Sequence, residues 1–595
     1  MRFQLIQGEW FRALMSRFAA SGVTDVVVSP GSRSTPLVAA AHREPRLTVH
    51  AVADERSASF FALGLARATG RPPVLIRTSG TASAHDFPAV IEASEDHVPL
   101  IVVSADRPFE LQASGAPQTM DQRSLFGRFV RFDLELGLPD LAGLSGLDRG
   151  AARAVHRASS PVPGPVHVNA RARKPLEPTA PETPEEDQVR ATVDRLSTEP
   201  RSMTSALRGF EPAALRAVAE VIRGAASGAL IAGPLSPSRD GDEALRAAAA
   251  AFLSASGFRL WAEASSQLRV RELAPDDAFE WDQAEAPDVA VLLGRYPSSR
   301  VLQERLRASR RLVTVHPFAP ADPDGRAAHV FEGPVIGWLH AAAVALGRED
   351  DVAASVRARS SGSPPSPADA SQTVPAPSDA TERRLARSAE TWSRVDAALA
   401  KAPLVEAHVV RAVVASTPEE GALVVANSLA IRLFDRFVPG FRRPVPIFTQ
   451  RGVNGIDGAV SSAAGVASGR SAPTAAVLGD VAFLHDIGGL AVAATVNAPL
   501  PLVVIDNGGG RIFEELPLVK TVEDPSLVAL FTTPHRHRLA AAGAVFGVPA
   551  CKVNDQGALE AALDEAWSRS GPTLIHVVVS DRGREVQAEL RGGPQ

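Results

Sequence analysis

Three times along this chain, short runs of uninterrupted apolar residues alternate with stretches of helical periodicity. That alternation restricts the fold more than any other feature. In the first block, 23–29, 47–51, 74–78 and 100–104 read as buried strands, with helices over 57–69 and 82–93. The middle block repeats the pattern with strands at 229–232, 289–293 and 312–315, and the last block with 423–426, 474–478, 502–506 and 574–579. A strand that is apolar throughout is covered on both faces, which is the situation of a parallel sheet wrapped by crossover helices. The expected fold class is α/β, with three doubly wound parallel-sheet domains. A chain of 595 residues is also too long for one hydrophobic core.

Two segments break the pattern. Residues 172–202 are rich in Pro, Glu and Thr, and 350–382 in Ser, Pro and Ala, including Ser-Gly-Ser-Pro-Pro-Ser-Pro. Neither shows the apolar periodicity needed to pack, so both read as linkers or partly disordered crossings. The resulting division is a first domain at 1–175, a middle domain at 200–348, a linker at 349–384 and a last domain at 385–595.

Composition removes several functions. A net charge of −5 gives no electrostatic case for nucleic acid. The single cysteine, Cys551, excludes a disulfide framework and a multi-cysteine metal site, and fits a reducing, cytoplasmic setting. The first ten residues lack an apolar signal core, and no run of about 18 apolar residues occurs to span a membrane. Lysine is confined to Lys174, Lys401, Lys520 and Lys552, so a Schiff-base lysine is a poor expectation and anion sites should be built from arginine.

Doubly wound sheets bind ligands beyond the carboxyl ends of their strands. Polar residues collect at those places here. Ser29-Pro-Gly-Ser-Arg-Ser-Thr-Pro36 turns from a strand into a helix start, a natural carboxylate or phosphate site. Asp54-Glu55-Arg56 opens the next helix, where Glu55 alone would be an ordinary helix-start acid. Thr78-Ser-Gly-Thr81 follows the third strand, with Gly80 permitting close backbone approach to a ligand beside Thr81. Ser104-Ala-Asp-Arg-Pro108 follows the fourth.

In the last block, Gly479-Asp480 ends one strand and Asn507-Gly-Gly-Gly510 follows the next, 27 residues on. That spacing fits a helix and a return strand, so Asp480 and Asn507 emerge on neighbouring strand ends. A carboxylate, an amide oxygen and a backbone carbonyl, with Gly509 as the candidate, suit a hard cation such as Mg²⁺ that also binds phosphate. Each motif alone is an ordinary turn; together they indicate a site.

With these motifs in view, the chain resembles the thiamine-diphosphate (ThDP) decarboxylase-like enzymes along nearly its whole length. Within them it is most similar to the 2-succinyl-5-enolpyruvyl-6-hydroxy-3-cyclohexene-1-carboxylate (SEPHCHC) synthases of menaquinone biosynthesis. Besides the turns above, Asn427-Ser-Leu-Ala-Ile-Arg432 and Arg451-Gly-Val-Asn-Gly-Ile-Asp-Gly458 carry the similarity.

The resemblance implies a pyrimidine-binding domain first, a middle domain, and a diphosphate-binding domain last. It also implies a homodimer or homotetramer with the active site between subunits, and a cation that is Mg²⁺ or Mn²⁺. Glu55 is implied to activate the cofactor at its pyrimidine N1′, and Ile456 to hold it bent. Gly80, Thr81, Asp480 and Asn507 complete the implied cofactor contacts. The implied substrates are 2-oxoglutarate and isochorismate, both dianions that require cationic partners. Ser428 and Arg432 are then expected at the succinyl arm. Arg33, Arg107, Gln118 and Arg300 are expected at isochorismate with Ser32 nearby, and Arg451 is a further candidate.

Five residues depart from the family pattern: His85, Asp86, Pro117, Ser299 and Asp506. Three alternatives stand beside this reading. One is a ThDP-fold regulatory or scaffold protein without catalysis, which would tolerate loss of Glu55, Asp480 or Asn507, yet all are present. Another ThDP-dependent 2-oxoacid decarboxylase or acetolactate-synthase-like carboligase would not need so many arginines. A nucleotide-linked dehydrogenase would show Gly-x-Gly-x-x-Gly after the first strand, where none occurs.

Overall fold

The computed structural model describes residues 1–199, 201–206, 209–319, 321–347, 379–515, 518–521 and 524–590. Within them lie three parallel sheets. The first holds β1 (Asp25–Val28), β2 (Thr48–Ala51), β3 (Val74–Arg77), β4 (Leu100–Asp106), β5 (Phe132–Leu136) and β6 (Pro165–Arg171), in the order β2-β1-β3-β4-β6-β5. The middle sheet holds β7 (Gly228–Ala232), β8 (Arg259–Ala262), β9 (Val289–Leu293), β10 (Arg311–His316) and β11 (Ala327–Glu332), in the order β11-β10-β9-β7-β8. The third holds β12 (Ala422–Val425), β13 (Ile447–Phe448), β14 (Thr474–Gly479), β15 (Leu500–Asp506), β16 (Ala550–Val553) and β17 (Pro572–Val578), in the order β13-β12-β14-β15-β17-β16. Counted from its own first strand, each outer sheet runs 2-1-3-4-6-5, so the chain uses one plan twice.

Every apolar run expected to be a strand is one, and the fold is α/β with three parallel sheets. Six further strands were not anticipated: β5, β6, β8, β11, β13 and β16. Five of these lie at sheet edges, where one flank meets solvent and the apolar signal thins. β5, for example, alternates half-exposed and exposed residues before Leu136. β6 is interior, but the buried polar residues His167 and Asn169 interrupt its apolar run.

The reading of 172–202 as a linker needs correction. Helix Pro184–Thr198 lies within it, capped by the Thr183 side chain at the Glu186 N–H. Val189 and Val193, one turn apart, are buried, and Arg2 clamps the buried Glu186 through two guanidinium nitrogens. That apolar stripe is only two or three residues wide, and acidic neighbours hide it in the sequence. The expected linker 349–384 lies mostly outside the described residues; a helix, Asp379–Leu399, already occupies its last part.

The first and third domains share one core. Helix Glu55–Thr69 packs along helix Ala459–Arg470, and the contact is backbone against backbone. A Cβ placed at Gly64 would lie 2.1 Å from the Ser462 carbonyl oxygen, and one at Gly465 2.0 Å from that of Phe61. Phe60, Phe61 and Leu65 meet Val460, Ala464 and Ala467 in the same cluster. At one end of this seam Arg67 bridges Glu92 and Asp96, all three buried. Glu92 also accepts the Gly452 and Val453 N–H groups, tying the first domain to the loop after Arg451. The middle domain is held to the first by Arg295–Asp96 at 2.8 Å, and to the third by the Val270–Phe441 bridge. No helix among the described residues is long and apolar enough to cross a membrane.

Candidate active site

In both outer sheets the strand order reverses between the first and third strands, the place where such sheets open a ligand crevice. The candidate residues fall at those two places, in two groups.

The first group sits at the carboxyl ends of β1, β3 and β4. Gly31 is needed because the Ser29–Pro36 turn lies directly against Thr78; a Cβ there would come within 2.2 Å of the Thr78 Cβ. This brings Ser32 and Arg33 toward Thr78–Thr81. Ser32 is exposed, whereas Arg33 is buried, with Nη1 donating to the Ala172 carbonyl and Nε left without a partner. Burial, then the neighbouring Arg107 charge, pulls the Arg33 pKa down. Arg107 donates from Nε to the Gln118 carbonyl at 3.3 Å. Gln118, at φ 52°, covers Gly80, and the Gly80 N–H donates to the buried Gln122 side chain. Thr81 is exposed at the start of the following turn.

Glu55 is half-buried at the first position of its helix, behind Asp54, which caps the Ser57 N–H at 3.0 Å. Beneath it lies a fully buried ion pair, Arg77 Nε to Asp86 at 2.9 Å, and Arg77 also reaches the Glu55 carbonyl. Burial raises the Asp86 pKa to about 6, with the Glu55 charge adding to the rise. Asp86 was seen in the sequence only as a departure from the family pattern. Its structural account is Arg77, an arginine inside an otherwise apolar strand.

The second group lines a cleft of about 330 Å³ beyond β12, β14 and β15, and contains Ser428, Arg432, Arg451, Ile456, Asp480, Asn507 and Gly509. Asn427 organises one wall. Its Nδ2 donates to the Gln450 and Gly455 carbonyls, and its Oδ1 accepts from Arg451 Nη1 at 2.7 Å. Ser428 takes φ 69°, and its carbonyl accepts from Arg432 Nη1 at 2.5 Å. Burial lowers the Arg451 pKa, and its Nε has no partner.

On the other wall Asp480 is buried and accepts the Val481 and Gly509 N–H groups. Burial raises its pKa to about 6. Asn507 donates from Nδ2 to Glu406, leaving its amide oxygen for another partner. Gly509, expected as a carbonyl donor, turns its N–H to Asp480 while its carbonyl accepts the Arg511 N–H. Cβ atoms at Gly479 and Gly508 would meet nothing within 4 Å, so the backbone beside Asp480 borders open space. A buried carboxylate, an amide oxygen and open glycine backbone fit a diphosphate carried on a divalent cation.

Arg300 joins neither group. It is exposed on helix Arg300–Ala308 and pairs with Glu304. Glu406, Arg511 and Phe513 line the cleft without having been singled out in the sequence. Glu406 opens a helix far upstream, and no local motif links it to the site. His535 was missed as well. It follows Thr532-Thr-Pro534, a stretch with no strand or motif beside it, and lies 3.3 Å from Asp480 Oδ2.

Equivalent sheets with ligand-suited residues gathered at the switch point of each define a class. Residues 9–125 match the thiamine pyrophosphate enzyme N-terminal TPP binding domain, and 434–577 the corresponding C-terminal TPP binding domain. Benzoylformate decarboxylase from Polynucleobacter necessarius superposes with a TM-score of 0.68 over 98% of this chain and 99% of that one, at 17% identity, a likeness of fold. The SEPHCHC synthase of Sorangium cellulosum is 38% identical, covering 96% of this chain and 93% of that protein. That of Myxococcus xanthus is 35% identical over 98% and 96%, and that of Halobacterium salinarum 34% over 96% and 94%. The chain belongs to the SEPHCHC synthase family of thiamine pyrophosphate enzymes.

Proposed function

We propose that this protein decarboxylates 2-oxoglutarate on ThDP and joins the succinyl fragment to isochorismate, giving SEPHCHC and CO₂ in menaquinone biosynthesis. The carrying observation is one cleft holding both Asp480 with Asn507 and the two arginines Arg432 and Arg451. A small apolar oxoacid would leave those arginines without work; a dianion uses them. Ser428 and Arg432 are assigned to the succinyl carboxylate, with Arg451 beside them. Arg33, Arg107, Gln118 and Ser32 are assigned to isochorismate. Arg300 is kept with that second set only as a residue reaching the site from elsewhere in an assembly.

Bound ThDP supplies the nucleophilic carbon and the electron sink for loss of CO₂. Asp480, Asn507 and the Gly509 carbonyl are the proposed holders of its cation, Mg²⁺ or Mn²⁺. Glu55 is the proposed acid–base group, trading a proton with a cofactor ring nitrogen, while the buried Arg77–Asp86 pair fixes the backbone from which it projects. Ile456 forms an apolar rest in the cleft wall, and Gly80 and Thr81 are assigned to the pyrimidine end. Arg432 and Arg451 hold the substrate carboxylate in one orientation, because a carboxylate taken out of water without a partner costs several kcal/mol.

Glu55 belongs to the first group, and the cleft is lined by third-domain residues alone. We therefore assign the working unit as a homodimer, or a dimer of such dimers, in which one protomer's first domain faces its partner's cleft. The test of function is CO₂ release by the purified protein with ThDP, Mg²⁺ and 2-oxoglutarate, with and without isochorismate. Product that depends on isochorismate is expected; CO₂ release with no such product would leave ThDP chemistry standing and overturn the synthase assignment.

A further inference from the structure

The turn that carries Arg451 and Ile456 is held from outside its own domain. The two residues after Arg451, Gly452 and Val453, donate their N–H groups to Glu92 Oε1 and Oε2, at 3.0 and 2.8 Å. Glu92 belongs to helix Phe87–Glu95 of the first domain and is buried, and its Oε1 also accepts from Arg67 Nη2 at 2.7 Å. This contact requires Gly452. A Cβ there would lie 2.6 Å from the Glu92 carbonyl oxygen and 2.8 Å from Glu92 Oε2.

Arg67 approaches the same turn from its other side. Arg67 Nε and Nη1 and Gln450 Oε1 are buried with no partner among the described residues, and both side chains line one cavity of about 10 Å³. That is the size at which a single water can bridge such groups. Gln450 Nε2 donates to the Asp457 carbonyl, and the Gln450 carbonyl accepts from Asn427, the residue bonded to Arg451. Arg67 stands in the last turn of the helix that Glu55 opens. The helix that presents Glu55 at one end therefore braces the Arg451 turn with the other.

We propose that Glu92, backed by Arg67, is a positioning residue for substrate binding: it fixes the turn 451–458 so that the Arg451 guanidinium meets the substrate carboxylate in one place. The identity of that substrate rests on the proposed function; the anchoring of the turn does not. Hydrogen bonds to an ionised acceptor are about twice as strong as neutral ones. Two of them on consecutive amides fix both the place and the tilt of the peptide that follows Arg451. The side chain needs that support. Its Nη1 bonds to Asn427 Oδ1, but its Nε has no partner among the described residues, so its position leans on the backbone.

The test joins steady-state kinetics of CO₂ release from 2-oxoglutarate to amide hydrogen exchange, in two variants of the full chain. Glu92→Gln keeps the side-chain volume but sets an amide N–H against one of the two backbone donors. Gly452→Ala keeps every charge and pushes the turn off Glu92. Both should raise KM for 2-oxoglutarate by about ten- to a hundredfold, the cost of a misplaced binding group, with a much smaller change in kcat. Exchange at the Gly452 and Val453 amides should quicken in both. A residue serving the fold alone would lower the folded fraction, and with it kcat, but leave KM where it was. That outcome overturns the inference and leaves the functional reading intact. Unchanged exchange at the two amides in Glu92→Gln also overturns it. Wild-type protein that releases no CO₂ from 2-oxoglutarate removes the functional reading instead, and exchange at the two amides then decides the anchoring alone.

Discussion

At the scale of single residues, the site divides what the sequence shows from what it hides. Glu55 was visible as an acid opening a helix after a strand, and its role is tested directly. Glu55→Gln should lower turnover by about 10²–10⁴-fold, the usual range for a lost acid–base group, with an unchanged circular dichroism spectrum. Near-normal turnover in that variant would remove Glu55 from the chemistry. Asp480 and Asn507 were legible because strand ends are legible, and the structure brings both to one cleft. Asp86, Glu406 and His535 were not. Each reaches its neighbourhood across the fold, from a turn, a distant helix and a loop, and no spacing in the chain records that approach. Asp506 stood out only as an unfamiliar residue; its account came with His576, whose Nε2 lies 2.7 Å from Asp506 Oδ2.

At the scale of elements, the apolar runs announced the interior strands because burial on both faces leaves no room for polar residues. Five of the six edge strands and the helix Pro184–Thr198 were lost for the opposite reason: their buried stripe is narrow or only a few residues long. The pairing of helices Glu55–Thr69 and Ala459–Arg470 was also invisible, since a glycine inside a helix says nothing about its partner. Its energetics are nonetheless sharp. Gly465→Ala must push a methyl into the Phe61 carbonyl, and a backbone oxygen cannot rotate away. A loss of about 1–3 kcal/mol is expected from such overpacking, read as a lower urea midpoint, together with reduced turnover because Glu55 rides on the displaced helix. An unaltered midpoint would show that the seam yields.

At the scale of the molecule, two features await measurement. The first is the proposed sharing of one site between two protomers. Glu55→Gln and Asp480→Asn chains, each inactive alone, should regain about a quarter of wild-type activity when mixed and reassociated, because half the dimers then carry one intact site. No recovery would place both groups within one chain. The second is the junction of the first and middle domains, where His97 and His316 lie 6.0 Å apart by ring centre. Burial, then the Arg295 charge, holds His97 down to about 4 and His316 to about 3. His316 Nδ1 accepts the Phe318 and Ala319 N–H groups, which requires the neutral ring. The unfolded chain protonates these rings near pH 6.5 and the folded one does not. Stability is therefore full above pH 6.5 and falls as the pH drops toward 4. Urea midpoints at pH 7.5 and pH 5 should show that fall, and His316→Asn should shrink it; an equal fall in the variant would exonerate the junction.

The repeated strand order has a last consequence. Two copies of one plan give a single chain two switch points of the same strand order, differing in what their loops present. One offers hydroxyls and arginines after its first and third strands; the other offers an amide, an arginine and an acid. Specialisation of this kind leaves the sheets untouched, so the division of labour between the halves can be rewritten loop by loop while the frame that measures the distance between them is inherited whole.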